Sequence, residues 1–426
     1  MISPDIQKTH VVAKYRIKFK NGTHRAFHEG VRELFDITVF GGSRPFKYAP
    51  CDRNRFDLLY EFKLLDEDRN EGIVEVAWPP MLCTDKSGIP MVLSTCLFVS
   101  VYDFIVDFEL YDLILPESMV SQYRGPRYGI RGLRQRLGVP QRPLLGLILK
   151  PRCDLTPAIC ANLAEAATRA GVDYVIDDEL VVDPDSCRFE ERAIAVMEAI
   201  DKASTHTKSS TTRTHYFMNV TSRGSRFREL YSVAERRGAR GVGLNPVAMG
   251  FDAIDSLRRK RGSQLAIIAN TIGRGVITEG SFRISPQILC LLGRICGADA
   301  VYTVPFQGLL RSKAEDLRTL SRVLYEPIRG IETAFGICSG GIDINNVLST
   351  LHLHGPDVMI QVGDALCRQY DENGDISDWV KAFQVISQEY FEVKTIKKAN
   401  ASLLNKATHD KQLDRLLEKV SWHGDS

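Results

Sequence analysis

Three adjacent acids follow an apolar run in the stretch VDYVIDDEL, which spans residues 172–180. Carboxylates at the end of a buried strand are costly unless a positive group lies among them. Asp177, Asp178 and Glu179 are more acids than one helix cap needs, although Asp178 and Glu179 could cap the helix that follows. Because oxygen ligands suit a hard cation, Asp178 and Glu179 are predicted to bind Mg²⁺.

A lysine and an arginine follow the first apolar run of the same part of the chain. In LLGLILKPR, Lys150 comes directly after the run and Arg152 comes two residues later. A lysine in such a place has a pKa that its surroundings can tune, which suits proton transfer. The alternative is a structural ion pair with the three acids. Lys150 and Arg152 are predicted as catalytic residues.

Glycines close two later runs, where backbone N–H groups could reach a phosphate. Ser339, Gly340 and Gly341 form the turn of FGICSGG, and Gly363 precedes Asp364 in VMIQVGD. Backbone donors in such turns bind anions, although SGG also fits ordinary turn chemistry. The sequence therefore predicts one phosphate site, formed by residues 339–341 and Gly363. Further predicted pocket residues are Ile176, Asn219, Asn245, Asn270 and Asp364.

Eight apolar runs separated by helical stretches carry these residues. The runs are 144–151, 172–179, 215–220, 241–246, 266–271, 298–304, 335–341 and 358–364. Continuous apolar strands that alternate with helices such as PAICANLAEAATRAG pair in parallel. Eight units over about 250 residues match a (β/α)₈ barrel, whose site lies at the carboxyl ends of its strands. A doubly wound open sheet would need a glycine-rich turn after its first strand, and KPRCDLTP is not one.

The chain on either side of this pattern is organised differently. Residues 1–140 are predicted to form a small α+β domain, with strands in HVVAKYRIKF, DLLYEFKLL and GIVEVAWPP and helices in FHEGVRELFDI and MVLSTCLFVSVYDFIVDFEL. The barrel is assigned to residues 141–395. Residues 396–426 are charged, with apolar residues spaced by three and four, which predicts a solvated terminal helix.

The composition argues against several classes of protein. The 426 residues are 44% hydrophobic and 25% charged, with a formal net charge of +2, so neither a nucleic-acid nor a membrane partner is expected. No apolar run reaches the ~18 residues of a membrane span, and the start lacks a signal-peptide core. The ten cysteines show no metal spacing. They are predicted to be reduced and mostly buried, Cys153, Cys290 and Cys338 among them, in a cytoplasmic protein.

Several motifs resemble the RuBisCO large-chain family. GPRYGIRGLRQRLGVPQRPLLGLILKPRCDLTP is similar to the family segment that leads into the barrel and bears G-x-x-x-K-P-K. GVDYVIDDE is similar to G-x-D-F-x-K-D-D-E, GICSGGI to A-S-G-G-I, and GPDVMIQVGD to the eighth strand, in the same order. The resemblance implies a ferredoxin-like N-terminal domain, a (β/α)₈ barrel and a homodimer or higher oligomer. In such dimers the N-terminal domain of one subunit covers the active site of the other.

The departures from the family decide the predicted function. Ile176 stands where the family has the lysine that takes up CO₂ as a carbamate, and Pro305 stands about where it has the lysine of the loop after strand 6. Asn270 and Thr271 replace its histidine and arginine, and Tyr302 lies approximately at its strand-6 histidine. The resemblance therefore implies a RuBisCO-like protein of the non-carboxylating branch, with no lysine carbamate.

Members of that branch act on phosphorylated keto sugars or keto sugar acids through an enolate. We expect decarboxylation or C–C cleavage of a phosphorylated keto sugar acid, because breaking that bond makes the enolate without a carbamate base. Lys150 would then donate the proton, and Mg²⁺ on Asp178 and Glu179 is the expected cofactor. Isomerisation or enolisation of a keto-sugar monophosphate, as in methionine salvage, is one alternative. A non-catalytic binding scaffold and activity on an unphosphorylated ligand are the others.

Overall fold

The structure is a computed structural model that describes residues 2–21, 26–42, 59–66, 70–206, 213–303 and 314–424. In these ranges the chain forms an antiparallel sheet with helices, then a closed eight-stranded barrel, then two terminal helices. Pro305 lies outside the described residues, so its predicted place in the site stays a prediction.

The N-terminal part has the ferredoxin-like order of elements. Its strands are β1 (Val11–Phe19), β2 (Tyr60–Asp66), β3 (Glu71–Trp78) and β4 (Ile105–Ile114), and its helices are α1 (Pro4–Gln7), α2 (Phe27–Phe40) and α3 (Gly88–Phe98). The four strands pair antiparallel in the order β4-β1-β3-β2. This arrangement confirms the predicted α+β fold, in which strand pairing brings distant parts of the chain together.

The helix predicted for residues 91–110 is wrong in its second half. Helix α3 ends at Phe98, a 3₁₀ turn covers Val99–Val101, and β4 begins at Ile105. The IVDF that opens β4 is rich in β-branched and aromatic residues, which favour a pleated strand. Pairing with β1 then stabilises this segment as a strand and not as a helix.

Eight parallel strands close the barrel, as the eight apolar runs predict. They are β5 (Leu144–Leu149), β6 (Tyr174–Asp177), β7 (His215–Asn219), β8 (Gly241–Leu244), β9 (Ala266–Ala269), β11 (Ala300–Tyr302), β12 (Phe335–Ser339) and β13 (Val358–Val362). Strand β13 pairs with β5 and β11 pairs with β9, so the sheet closes on itself and is not an open sheet. The carboxyl ends of all eight strands therefore meet at one rim.

Helices connect the strands and cover the outside of the barrel. They are α4 (Glu117–Val120), α5 (Gly129–Leu137), α6 (Pro157–Ala170), α7 (Phe189–His206), α8 (Arg226–Arg236), α9 (Pro246–Met249), α10 (Asp252–Arg258), α11 (Gly275–Thr278), α12 (Pro286–Cys296), α13 (Ala314–Tyr325), α14 (Val347–His354), α15 (Asp364–Asn373) and α16 (Ser377–Val393). Helix α6 shows the local signals: the Thr156 hydroxyl accepts the N–H of Ile159 at 3.3 Å, and Gly171 ends the helix at φ 83°.

Two apolar cores hold these layers together. The inner core fills the barrel with inward side chains such as Ile176, Phe217 and Met359, and Leu133 and Leu137 of α5 close its amino-terminal end. The outer core lies between the strands and the surrounding helices and extends into the N-terminal sheet. Polar side chains can therefore gather only at the two ends of the barrel and on the outer surface.

A short additional strand ties the barrel to the N-terminal sheet. Strand β10 (Phe282–Ile284) follows α11 and pairs in parallel with β4. Arg283 on this strand forms ion pairs with Asp107 at 3.2 Å and with Glu109 at 2.8 Å. The sequence pattern did not predict β10, because three residues are too few to show a period. The strand fixes the segment after β9, which carries one wall of the candidate site.

The terminal segment contains two helices where one solvated helix is predicted. They are α17 (Ile396–His409) and α18 (Lys411–Lys419). The Asp410 carboxylate between them accepts the N–H of Gln412 at 2.8 Å and of Leu413 at 3.2 Å, which starts the second helix. Leu403 and Leu417 are buried, so the apolar spacing reflects packing on the rest of the protein and the helices are not fully solvated.

The cysteine prediction holds for most of the described thiols. Cys290 and Cys338 are buried, whereas Cys153 is exposed because it lies in the loop beyond β5 and not in the apolar run. The nine described cysteines are all free thiols. In the part of the chain that the structure describes, no helix combines the length and apolar character needed to cross a bilayer.

Candidate active site

The three acids after β6 have three different partners. Asp177 carries the buried ion pair, in which its carboxylate accepts Arg192 Nε at 2.9 Å and Nη2 at 3.0 Å. The Tyr216 hydroxyl donates to the same carboxylate at 2.5 Å, and the N–H of Asn219 donates at 3.0 Å. The Arg192 and Asp177 side chains are 0% and 1% exposed. Asp177 therefore fastens β6 to α7 and β7.

Asp178 binds the two cations that the sequence singles out. Lys150 Nζ lies 2.6 Å from its Oδ2, Arg152 Nε lies 2.8 Å from its Oδ1, and the N–H of Leu180 donates to Oδ1 at 2.9 Å. Burial alone would raise the pKa of Asp178, but these hydrogen bonds outweigh burial and hold the pKa below its usual value. Lys150 and Arg152 are thus direct charge partners of an ionised carboxylate.

Glu179 lies in a less favourable environment for its charge. Its Oε1 accepts the Tyr302 hydroxyl at 2.8 Å, and the same hydroxyl contacts the side-chain amide of Gln361. Burial raises the pKa of Glu179, and the charge of Asp178 adds to the effect. Burial also raises the pKa of Tyr302 well above its usual value. A carboxyl group with a raised pKa beside a neutral phenol is suited to exchange a proton with a ligand.

Ile176 faces the inside of the barrel next to these acids. Its side chain is 4% exposed and belongs to the inner core. With Glu179, Asn219, Asn270 and Tyr302 it lines a small cavity of about 10 Å³, close to the volume that a single water needs. An isoleucine has no amine, so this position cannot form a carbamate.

The asparagines at the ends of three strands shape the loops around the site. Nδ2 of Asn219 donates to three backbone carbonyls of the loop after β6, the shortest contact being 2.8 Å to Glu179. Asn245 caps α9 and donates to the carbonyl of Ile272 at 3.0 Å, and Asn270 accepts the N–H of Ile272 at 2.9 Å. These amides hold the backbone of the loops in place. Their predicted contact with a ligand stays a prediction.

A cavity of about 430 Å³ opens at the carboxyl end of the barrel. Arg152 and Glu179 lie in its wall, together with Thr271, Tyr302, Thr303 and Ser339. The volume suits a small organic molecule with a few polar groups. Lys150 is not in this wall, but its side chain is 26% exposed and its ammonium contacts Asp178, which Arg152 also contacts.

The segment after β9 contributes a cation that the sequence reasoning missed. Arg274 lines the cavity between Gly273 and Gly275, and burial lowers the pKa of its guanidinium. No described carboxylate lies within ion-pair distance of it. A desolvated guanidinium without such a partner attracts an anionic group of a ligand. The available signal was the glycine-flanked arginine in TIGRG, directly after a predicted strand.

The glycine turn after β12 has a backbone that requires glycine. Gly340 has φ 102° and Gly341 has φ 76°, in the left-handed region. The Gly341 carbonyl accepts Nδ2 of Asn346 at 2.8 Å, which fixes the turn, and Ser339 lines the cavity. This geometry is compatible with phosphate binding, which stays a prediction.

Gly363 and Asp364 at the end of β13 have separate roles. A Cβ on Gly363 would lie 2.7 Å from Cε of Lys150, so the glycine leaves room for the lysine stem. Asp364 is exposed in the first turn of α15 and pairs with Arg368 at 2.9 Å. Asp364 is not in the wall of the cavity, and its predicted place in the pocket has no support from this arrangement.

Fold and site together define a (β/α)₈-barrel protein with a lysine–carboxylate cluster at the catalytic end. Residues 129–418 match the family model of the ribulose bisphosphate carboxylase large chain, catalytic domain. The chain is 31% identical over 316 residues to the ribulose bisphosphate carboxylase-like protein of Archaeoglobus fulgidus, covering 72% of this chain and 69% of that protein. The chain belongs to the RuBisCO large-chain family.

Other relatives show how varied this family is. The 2,3-diketo-5-methylthiopentyl-1-phosphate enolase of Geobacillus kaustophilus is 28% identical over 297 residues, covering 69% of this chain and 70% of that protein. Proteins named ribulose bisphosphate carboxylase match at 26 to 27% identity. Octameric RuBisCO of Pyrococcus horikoshii superposes with a TM-score of 0.83, covering 97% of this chain and 94% of that one at 20% identity, and shares the fold.

Members of this family typically depend on Mg²⁺, and the residues described at this site fit that ion poorly. Both oxygens of Asp178 are engaged by Lys150 and Arg152, and Oε1 of Glu179 is engaged by Tyr302. The two cations already balance the two carboxylates. Within the described ranges, no three His, Cys, Asp or Glu side chains are grouped to hold a metal ion. The arrangement matches the alternative in which the lysine and the arginine neutralise the acids.

Proposed function

We propose that this chain is a RuBisCO-like enzyme that does not fix CO₂ and that forms an enolate by breaking a carbon–carbon bond of a phosphorylated keto sugar acid. The observation that carries the proposal is the buried Ile176 beside Asp178, which is paired with Lys150 at 2.6 Å. Without an amine at position 176 there is no carbamate to abstract a proton. Bond cleavage needs an acid and anchors for anionic groups, and these are the groups that the site contains.

Lys150 is the proposed proton donor. When the bond between the carboxyl group and the adjacent carbon breaks, its electron pair enters the enolate and CO₂ leaves. The ammonium of Lys150 then gives a proton to the enolate carbon, and the resulting amine takes a proton from water. Asp178 positions the ammonium. Arg152, which is 47% exposed at the cavity, is placed to stabilise the enolate oxygen.

Anchoring of the substrate is assigned to two sides of the cavity. The backbone N–H groups of residues 339–341 and Gly363 are proposed to bind one phosphate, and Arg274 the carboxylate. Replacing Gly340 by valine removes the left-handed turn and should weaken inorganic phosphate binding about tenfold or more, because several charge-assisted hydrogen bonds are lost together. Calorimetric titration measures this effect, and circular dichroism checks that the fold is kept. Unchanged affinity would show that the phosphate binds elsewhere.

The experiment for the reaction uses β-keto sugar-acid monophosphates and keto-sugar monophosphates in D₂O. We expect CO₂ or a carbon fragment to be released from the acid, with one deuterium on the carbon that lost the bond. Lys150→Met should abolish the release and leave the Arg152–Asp178 pair. The enolase relative from Geobacillus supports the isomerase alternative. Deuterium exchange into a keto-sugar phosphate without bond cleavage would replace our proposal by that alternative.

The proposal requires no resident Mg²⁺, because Lys150 and Arg152 supply the positive charge beside Asp178. Activity on the true substrate should therefore continue in EDTA. Loss of activity in EDTA, restored by Mg²⁺ or Mn²⁺, would return Asp178 and Glu179 to the role of metal ligands.

We also propose a homodimer in which the partner's N-terminal domain covers the cavity. Leu180 is 62% exposed in the cavity wall, and Val276, which is 87% exposed, directly follows Gly275 of the same wall in α11. An apolar rim of this kind suits coverage by a second subunit. Sedimentation of the wild type and of a Leu180→Asp, Val276→Asp double variant tests this, with a monomeric double variant expected.

A further inference from the structure

A group of cations lies at the amino-terminal end of the barrel, opposite the cavity. We call Arg136, Arg213, Arg240 and His215 the basal arginine cluster. His215 begins β7, Arg240 directly precedes β8, and Arg136 lies on α5, which closes this end of the inner core. The cluster therefore spans neighbouring strands and the helix beneath them, and nothing in the proposed reaction uses it.

Hydrogen bonds fix two members of the cluster. Arg240 Nε donates to Nδ1 of His215 at 3.2 Å. Arg136 Nη2 donates to the carbonyl of Gln264 at 2.7 Å, and its guanidinium lies 4.8 Å from the ring centre of Tyr128. Nε of Arg136 is buried and has no hydrogen-bond partner among the described residues. Arg136 and Arg240 are thus held in place by these contacts.

The acids near the cluster are already paired. Asp173 accepts both Nη atoms of Arg142 at 2.6 Å and the N–H of Leu145 at 2.8 Å. Asp201 pairs with Arg213. Among the described residues, Arg136 and Arg240 have no carboxylate within ion-pair distance, which leaves their two positive charges unbalanced by an ion pair.

Repulsion within the cluster shows in its titration. Burial lowers the pKa of His215 to about 3, with Arg240, Arg213 and Arg136 adding to the effect. Burial also lowers the pKa of Arg240, with Arg136 and Arg213 as the next causes. His215 is therefore neutral at physiological pH. Because its Nδ1 accepts from Arg240, its Nε2 carries the proton and is a further donor.

We propose that the basal arginine cluster binds a small, multiply charged anion of the phosphate class. Guanidinium groups match phosphate oxygens in geometry and remain charged when partly buried. Arg136 and Arg240 are half-buried and His215 is only 8% exposed, so the ligand must be small. The net charge of +2 gives the chain no broad positive field, which argues against a nucleic acid. The bound anion offsets the repulsion and stabilises the lower end of the barrel.

The test is thermal unfolding in increasing inorganic pyrophosphate, with NaCl adjusted to keep the ionic strength constant. We expect the unfolding midpoint of the wild type to rise, since a ligand that binds the folded state stabilises it. Gly340→Val, which impairs the proposed cavity site, should retain a rise. Arg240→Gln should weaken the pyrophosphate affinity about tenfold, as expected for one lost charge-assisted contact.

Two variants complete the design. Arg237→Gln removes an arginine that pairs with Glu190 at 2.7 Å on the outer surface, and its response should equal that of the wild type. Arg213→Gln serves if Arg240→Gln does not fold, because the Arg213 side chain is 48% exposed. Wild-type affinity in the Arg240 or Arg213 variant would overturn the proposal. So would the absence of any rise in Gly340→Val, because the anion would then bind only in the cavity.

Discussion

Glu179 is the residue at which stability and the proposed chemistry conflict most directly. Burial and the Asp178 charge raise its pKa in the folded protein. The folded state therefore binds this proton more tightly, and stability falls as pH rises from the ordinary carboxyl pKa through the raised one. Glu179→Gln removes the destabilising charge that Glu179 carries at pH values above its raised pKa. We expect a higher free energy of unfolding in urea, because a neutral amide replaces a buried charge. A less stable variant would contradict this account.

Asp177 and Asp178 provide a matched pair of substitutions. Asp177→Asn leaves the fully buried Arg192 without its countercharge and should cost about 3–5 kcal/mol of folding free energy. Asp178→Asn should cost less, because Lys150 and Arg152 are 26% and 47% exposed and can reach water. Among the folded molecules, Asp178→Asn should lose more activity than Asp177→Asn, because Asp178 positions the proton donor. Equal losses of stability in urea unfolding would show that Asp178 is also a structural residue.

For individual residues, the sequence predicted which side chains lie at the candidate site, but only part of how they pair. Lys150, Arg152 and Asp178 do meet, since they follow neighbouring strands of a closed barrel. Successive side chains of a strand point to opposite faces, so an inward Ile176 implies an outward Asp177. The sequence alone could therefore have predicted the direction of Asp177. Arg274, which has no ion-pair partner among the described residues, was not predictable from periodicity, because it lies in an irregular segment whose path depends on distant contacts.

Strand β10 is the element that links the cavity wall to the N-terminal sheet. Arg283→Gln removes its ion pairs with Asp107 and Glu109 and should loosen the segment that carries Arg274. We expect KM to rise severalfold with little change in kcat. Arg322→Gln, which removes an exposed pair with Glu326 on α13, is the control and should change neither constant. An unchanged KM in Arg283→Gln would show that the wall is held by other contacts.

The accuracy of the sequence reading varied with the length of the element. All eight barrel strands were predicted because each is a continuous apolar run between helical stretches. Strand β4 was read as helix because its apolar residues continue directly from α3, and only pairing with β1 decides between the two. Residues 282–284 form strand β10 only because they pair with β4. Tertiary pairing, which a local pattern does not contain, explains both misses.

Across the whole molecule, the apolar inner core separates two polar ends of the barrel. The cavity with Arg152 and Glu179 lies at the carboxyl ends of the strands, and the basal arginine cluster lies at the amino-terminal ends. No described ion pair connects the two sites. The changes in the free energy of unfolding caused by substitutions at the two ends should therefore be additive, as they are for distant residues without shared partners.

We propose that this member of the RuBisCO family does not carboxylate, because Ile176 stands where the motif of the family has the carbamate lysine. The most direct measurement is incorporation of radiolabelled bicarbonate into phosphoglycerate, with ribulose bisphosphate and Mg²⁺ supplied to the wild type, Ile176→Lys and Lys150→Met. We predict background incorporation in all three, since one restored lysine does not replace the residues lost at Asn270 and Pro305. Incorporation by the wild type above the Lys150→Met level would contradict the claim.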